Sequence, residues 1–384
     1  MPRNPSERPW TRNPGIDTVR GLSILLVVLH HLGLRLPLKA SALGEFVPKR
    51  ILSALNWNGY EAVFVFFVIS GYLIASHSLR RWRRLATIDA RAFWQRRAAR
   101  ILPCLVLLVA VLALLHASGA SDYVIQRDGQ SLGRAVLAVF GLHLNWYEGQ
   151  TGYLPGAWDV LWSLSIEEAF YLGFPLACLL VRDTRVLALA LFALAVSLPA
   201  TRAALAGNEI WQEKAYLPGM AAIASGILAA LAAARWPSRS PGLSRVLAGV
   251  GALGLGAVLL YEGVLWSWFG NGTMLVLTAS SALLLVGLDR PGVRGLPGTG
   301  WLQSFGRLSY EIYLGHMFVV FAVVAVHAAL GGDAYWSFAW YVPGVLLSWL
   351  LGAVVARAWS LPCERRLLRA FAGRPRAAGA VPAR

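Results

Sequence analysis

Within Ile16 to Leu32, IDTVRGLSILLVVLHHL, an arginine and a histidine stand eleven residues apart, at Arg20 and His31. Three turns of helix separate them with a remainder of about 20°, so they share one face, roughly 16 Å apart along the axis. His30 points about 80° away from Arg20, and the helical phase therefore favours His31. A neutral imidazole takes a proton from a hydroxyl, and a guanidinium pairs with phosphate. The plainer alternative is a packed histidine pair hydrogen-bonded to its neighbours. Further along, WDVLWSLSIEEAFYLGFP (158–175) holds two adjacent carboxylates, Glu167 and Glu168, with Ser165 and Tyr171 three residues before and after Glu168. Carboxylates in an apolar helix are costly, which favours function over packing. One of them, Glu167, is expected to orient a histidine if the fold brings the two together. In FGRLSYEIYLGH (305–316), Ser309 and His316 share a face with Tyr313 beside them, while Glu311 lies elsewhere on the helix. Between Arg80 and Pro103 lie eight arginines and one acid, Asp89, interleaved with Trp82, Phe93 and Trp94. That run is a topology anchor, and its guanidiniums also suit phosphate groups. The stretch after Gly59 places Glu61 near a helix end and Ser70-Gly71 deeper, the latter pair reading as close helix packing.

The elements that must position these groups are membrane spans. The chain has 384 residues, 57% hydrophobic and 14% charged, against about 25% charged in a soluble domain. An all-α, polytopic helical bundle is therefore expected. Segments of spanning length, about 17 to 25 residues, fall near 16–36, 59–78, 101–117, 160–181, 185–201, 215–234, 244–263, 272–288, 302–327 and 338–358. The stretch 132–146 is short and carries Arg134, His143 and Asn145. If it does not span, 26 of the Lys and Arg fall on one side and 8 on the other. This bias places both termini in the cytoplasm, with 132–146 interfacial or re-entrant on the outer side. The expected organisation is a tail at 1–15, a transmembrane domain at 16–363 with a basic cytoplasmic loop at 79–100, and a basic tail at 364–384. Cys104, Cys178 and Cys363 lie in or beside apolar runs, with no metal-ligand or disulfide spacing, so no metal is expected. A net charge of +16 distributed this way speaks for a lipid bilayer rather than nucleic acid.

Five stretches in order, IDTVRGLSILLVVLHH, GYEAVFVFFVISGYLI, FWQRRAARILP, WSLSIEEAFYLGFP and GRLSYEIYLGH, resemble the successive signatures of the acyltransferase-3 family of integral membrane O-acyltransferases. The resemblance covers the chain from Ile16 to about Arg366. It implies transfer of an acyl group, usually acetyl, from acyl-CoA to a hydroxyl of a carbohydrate or glycosylated small molecule, in a bacterial cytoplasmic membrane. The family's paired Arg and His map to Arg20 and His31, its arginine cluster to Arg96, Arg97 and Arg100, its Trp–Glu motif to Trp162 and Glu167, and its late histidine to His316. The aspartate common in the second signature is replaced by Tyr60-Glu61.

A thioester is already activated, so direct transfer needs a base for the hydroxyl and stabilisation of the oxyanion. On this reading His31, Glu167 and His316 are catalytic, and Arg20, Arg96, Arg97 and Arg100 hold the phosphates of acetyl-CoA, a co-substrate. Glu61, Trp162, Ser165, Glu168, Tyr171 and Tyr313 face the acceptor. No nucleophile elbow or Cys/His pattern supports a covalent intermediate. The competing class is a proton-coupled transporter or flippase, in which the same ionisable groups form a relay; the absence of a visible internal repeat speaks mildly against it. The sequence sets no oligomeric state.

Overall fold

The computed structural model describes residues 12–290 and 295–372, so most of both expected tails lies outside the described residues. The chain opens with α1 (Pro14–Gly33), the short α2 (Leu43–Phe46) and α3 (Lys49–Trp57), then α4 (Gly59–Trp82) and α5 (Ala90–Ala117). A run of shorter pieces follows: α6 (Leu132–Phe140), α7 (Leu144–Thr151) and α8 (Gly156–Asp159), ahead of α9 (Trp162–Leu180). Next come α10 (Thr184–Val196), α11 (Leu198–Ala203), α12 (Glu209–Lys214), α13 (Tyr216–Arg235), α14 (Pro241–Phe269) and α15 (Gly272–Leu288). The last are α16 (Gly300–Arg307), α17 (Ser309–Ala329), α18 (Tyr341–Val355) and α19 (Leu361–Phe371). No strand occurs among the described residues.

Among the described residues, eight helices, some taken with an adjoining short helix, are long and apolar enough to cross a membrane: Pro14–Gly33, Gly59–Trp82, Ala90–Ala117, Gly156–Leu180, Glu209–Arg235, Pro241–Phe269, Ser309–Ala329 and Ser337–Phe371. Two shorter apolar helices, Thr184–Val196 and Gly272–Leu288, occupy the other two expected spans. The protein is thus an all-α, multi-pass membrane bundle. Its helix starts are chemically marked. Asn13 Oδ1 accepts from the amides of Gly15 and Ile16 ahead of Pro14, and Asp89 caps α5 through the Ala92 amide.

Small residues set the closest crossings. A side chain at Gly21 or Gly306 would run into the backbone of the facing helix, at Leu302 and Asp17 respectively, so α1 and α16 meet backbone to backbone. Gly71 and Gly226 do the same for α4 and α13, against Ile223 and Val68. The close packing expected at Gly71 is present.

Three expected elements take a different form. The basic stretch 79–100 is mostly helix, because α4 runs on to Trp82 and α5 begins at Ala90; Arg96, Arg97 and Arg100 therefore have fixed directions. The expected span 302–327 is broken at Leu308 (φ −98°, ψ 6°). The piece before the break, α16, lies against α1 and is tied by the Trp349 indole to Ser304 Oγ at 3.0 Å. The stretch 132–146 forms α6 and the start of α7, joined through Leu142 in the left-handed region (φ 59°). Neither helix is long enough to cross a bilayer. Ser131 caps α6, and the α7 start is anchored from below by Ser165, whose Oγ accepts from the Leu144 amide at 3.0 Å.

Candidate active site

Arg20 and His31 sit on one face of α1, and each opens into a different cavity. Arg20 lines a cavity of about 170 Å³ together with Arg97, Arg100, Glu167, Glu168 and Tyr171. His31 lines a second cavity, of about 390 Å³, with His30, Tyr60, Trp162, Asp159 and Lys214. Val63 of α4 and Tyr313 of α17 line both. The two cavities therefore meet at Val63 and Tyr313, each of which presents its side chain to both.

In the arginine cavity, the three guanidiniums differ in what already holds them. Arg20 donates from Nη2 to Ser309 Oγ at 2.8 Å and lies 3.9 Å from Asp17. Arg100 grips Glu311 with both Nη atoms, at 2.7 and 3.2 Å. Arg97 has no carboxylate within 4 Å among the described residues; it lies 5.0 Å over the Tyr171 ring and 5.8 Å over that of Phe93. Its charge is the least committed of the three. Ser70 is hydrogen-bonded to the Tyr171 hydroxyl, and so belongs to this cavity as well as to the α4 packing. Glu168 keeps one buried carboxylate oxygen without a hydrogen-bond partner among the described residues.

The histidine cavity is organised around an imidazole cluster. The His31 ring lies 5.0 Å from that of fully buried His316, and 5.2 Å from that of His30. His316 Nδ1 is 2.7 Å from the Tyr313 carbonyl. A carbonyl only accepts, so Nδ1 carries the proton and, in the neutral ring, Nε2 presents a lone pair. That Nε2 is buried with no hydrogen-bond partner among the described residues. His30 is fixed in the same manner, with Nδ1 2.8 Å from the Asn56 carbonyl. Asn56 is itself immobilised, accepting from the Leu38 amide at 2.9 Å and donating to the Tyr341 hydroxyl at 2.8 Å. An aromatic wall stands nearby. Tyr60 and Trp162 stack at 6.4 Å and 24°, and Tyr60 is held by Arg202 through its hydroxyl.

The shared wall is hydrogen-bonded in a fixed direction. The Tyr313 hydroxyl is 2.8 Å from both the Val160 carbonyl and Ser163 Oγ. It must donate to the carbonyl, so Ser163 donates to it. Val160 lies in the break between α8 and α9, which frees its carbonyl for this contact.

The expected site residues are thus sorted by the structure. His31, Trp162 and Tyr313 face the histidine cavity, and Arg20, Arg97, Arg100, Glu167, Glu168 and Tyr171 the arginine cavity, as Tyr313 also does. His316 lines neither but packs against His31. The expectation that Glu167 orients His31 is not met: Glu167 faces Ser70, Arg97 and Arg20, and His316 takes the place beside His31. Glu61 lines neither cavity. It is buried in the first turn of α4, and the helical step of about 100° per residue turns Tyr60 to the cavity in its stead. Ser165 is engaged by the Leu144 amide and lines neither of the two cavities. Arg96, one step from Arg97, points away from the arginine cavity by the same geometry. Residues that sequence reasoning passed over are Glu311, Asp159, Lys214 and Glu148. Lys214, 4% exposed, bridges buried Glu148 at 2.9 Å and Asp159. The one available signal was a charge adjoining an apolar run. Among the described residues no group of three or more His, Cys, Asp and Glu is placed to hold a metal ion.

A family described as an acyltransferase domain matches residues 13–362. The O-acetyltransferase OatA of Staphylococcus aureus, from strain NCTC 8325 / PS 47 and likewise from strain COL, is 30% identical over 170 residues, 42% of this chain. The matched part is 24% of that relative, so this chain spans about a quarter of its length. No solved structure matches. A match over nearly the whole chain, with the five signatures in order, places the protein in the acyltransferase-3 family.

Proposed function

We propose that the protein transfers an acetyl group from acetyl-CoA, bound from the cytoplasmic side at the arginine cavity, to a carbohydrate hydroxyl in the histidine cavity. The observation that carries this reading is a pair of adjoining cavities that share Val63 and Tyr313 in their linings. One is cationic and suits the phosphates of CoA. The other offers imidazoles and a stacked aromatic wall, the surface on which an apolar sugar face rests. The positive-inside bias supports placing the arginine cavity, the α4–α5 turn and both termini in the cytoplasm of a bacterial inner membrane. The similarity to an O-acetyltransferase supports acetyl as the group and a hydroxyl as its destination.

The chemistry follows from the geometry. The thioester end reaches the shared wall from the arginine side. His31, with its neutral imidazole, takes the proton of the acceptor hydroxyl as the oxygen attacks the thioester carbonyl. The lone pair of His316 Nε2, 5.0 Å away between ring centres, accepts a hydrogen bond from the protonated His31 and so steadies the new charge. The proton leaves with the CoA thiolate on collapse. Arg97 and Arg20 hold the anionic part of the donor; Arg100 shapes the cavity through Glu311. No metal takes part in this scheme.

The test is purified protein in lipid nanodiscs with radiolabelled acetyl-CoA and candidate glycans. Label appearing in the glycan, with one CoA released per acetyl, supports the transferase. Movement of a glycan across vesicles without CoA consumption would instead establish a carrier and sink this reading.

A further inference from the structure

The group Glu148, Lys214 and Asp159 has no part in the scheme above, and it stands at the acceptor side of the site. Its order is directional. Glu148 is fully buried and its Oε1 accepts from the Leu154 amide at 3.1 Å. Lys214 lies next, 2.9 Å from Glu148 Oε2 and joined to Asp159 Oδ1. Asp159 comes last and leaves 21% of its side chain exposed where it lines the histidine cavity. A lock between chain segments would be complete with Lys214 and Glu148 alone, since one buried ammonium is neutralised by one carboxylate. The second carboxylate instead faces the space that holds His31 and the Tyr60–Trp162 wall.

We propose that Asp159 is the acceptor-binding carboxylate of the histidine cavity, receiving the hydroxyls of a neutral vicinal diol on a pyranose ring that rests against the Tyr60–Trp162 wall. Lys214 and Glu148 are its positioning residues. The inference rests on the acyl-transfer reading and adds what selects the acceptor. A carboxylate takes two O–H donors from adjacent carbons, and the aromatic wall covers the ring's apolar face. Together they orient one hydroxyl of the ring towards His31, so the hydroxyl next to it becomes the recognised group.

Asp159→Asn tests this directly, because its remaining carbonyl oxygen still accepts from Lys214. The full chain in nanodiscs is given acetyl-CoA and a panel of methyl hexopyranosides with their monodeoxy analogues. Loss of one charge-assisted hydrogen bond raises the acceptor KM about tenfold or more, and more than it raises that of acetyl-CoA. The wild type discriminates against the analogue lacking the neighbouring hydroxyl, and Asp159→Asn loses that discrimination. An unchanged acceptor KM, or discrimination kept in full, overturns the proposal. The same glycosides are titrated without acetyl-CoA by saturation-transfer NMR; equal signals from wild type and Asp159→Asn also overturn it. A wild type that consumes no acetyl-CoA is a different result, and removes the acyl-transfer reading itself.

Discussion

Replacing Arg97 and Arg100 separately by alanine divides two roles that lie three residues apart. Arg100 gives both Nη atoms to Glu311, whose side chain is 1% exposed. Without Arg100 a buried carboxylate is stranded, a loss that costs about 3–5 kcal/mol. Glu364, 3.9 Å from the same guanidinium, is 25% exposed and is hydrated without it, so it adds little. Arg97 lies over the faces of Tyr171 and Phe93, with Glu167 and Glu168 in the same cavity but no carboxylate within 4 Å among the described residues. Cation–π contacts are worth about 0.5–2 kcal/mol, and Arg97→Ala stays within that range in stability. It removes the least committed charge of the cavity, however, and a hydrogen bond to a charged group is worth about 1.5–3 kcal/mol. That corresponds to a loss of about ten- to a hundredfold in affinity for CoA. Thermal unfolding of detergent-purified protein, followed by size-exclusion after heating, reads the first effect; displacement of radiolabelled acetyl-CoA reads the second. Arg100→Ala lowers the unfolding midpoint, and Glu311→Ala added to it restores part of the loss by removing the stranded charge. Arg97→Ala folds as the wild type does and binds CoA weakly. If Arg100→Ala melts like the wild type and Arg97→Ala keeps full affinity, the assignment of the two roles is wrong.

Three further outcomes follow from the same geometry. His31→Ala reduces acetyl transfer by about 10² to 10⁴, the usual worth of general-base assistance, while His30→Ala, whose ring is pinned to Asn56, reduces it less; equal losses in initial-rate assays count against His31 as the base. Tyr313→Ala thins the shared wall and raises CoA release in the absence of any acceptor, because water from the histidine cavity then reaches the thioester; an acceptor-free rate equal to that of the wild type removes the wall from the mechanism. Lys214→Met strands Glu148, which is fully buried, and destabilises the chain by about 3–5 kcal/mol. Adding Glu148→Gln recovers part of it, and an unshifted unfolding midpoint in the single variant refutes the ion pair.

The two halves of the site were unequally legible in the sequence, and the reason is helix length. Arg20, His31, Arg97, Glu167 and Tyr313 lie on helices of 19 to 28 residues, long enough for the 3.6-residue period to fix which face each side chain takes. On those helices the shared face of Arg20 and His31 and the close approach at Gly71 could both be read. What periodicity cannot supply is the partner from another helix. Glu311 was placed off the functional face, and its phase alone gives no hint that Arg100, 211 residues away, fills that side. Likewise Glu167 has a face but not a neighbour, and the fold sets it beside Ser70, in the cavity of Arg97 and Arg20, rather than beside His31. The ion-paired group beside the histidine cavity stands on shorter pieces: Glu148 on α7 (8 residues), Asp159 on α8 (4 residues) and Lys214 on α12 (6 residues). A helix of one or two turns carries no period to read, and Lys214 bonds to residues 66 and 55 positions away. In sequence these three are unrelated charges near span ends. They become one group only because the fold brings α7, α8 and α12 together beside the histidine cavity, joined through Lys214. Short elements between long spans are also where a family keeps one reaction while changing its acceptor, since they can be altered without repacking the bundle. The part of the site that this sequence concealed is therefore the part in which its specificity is expected to reside.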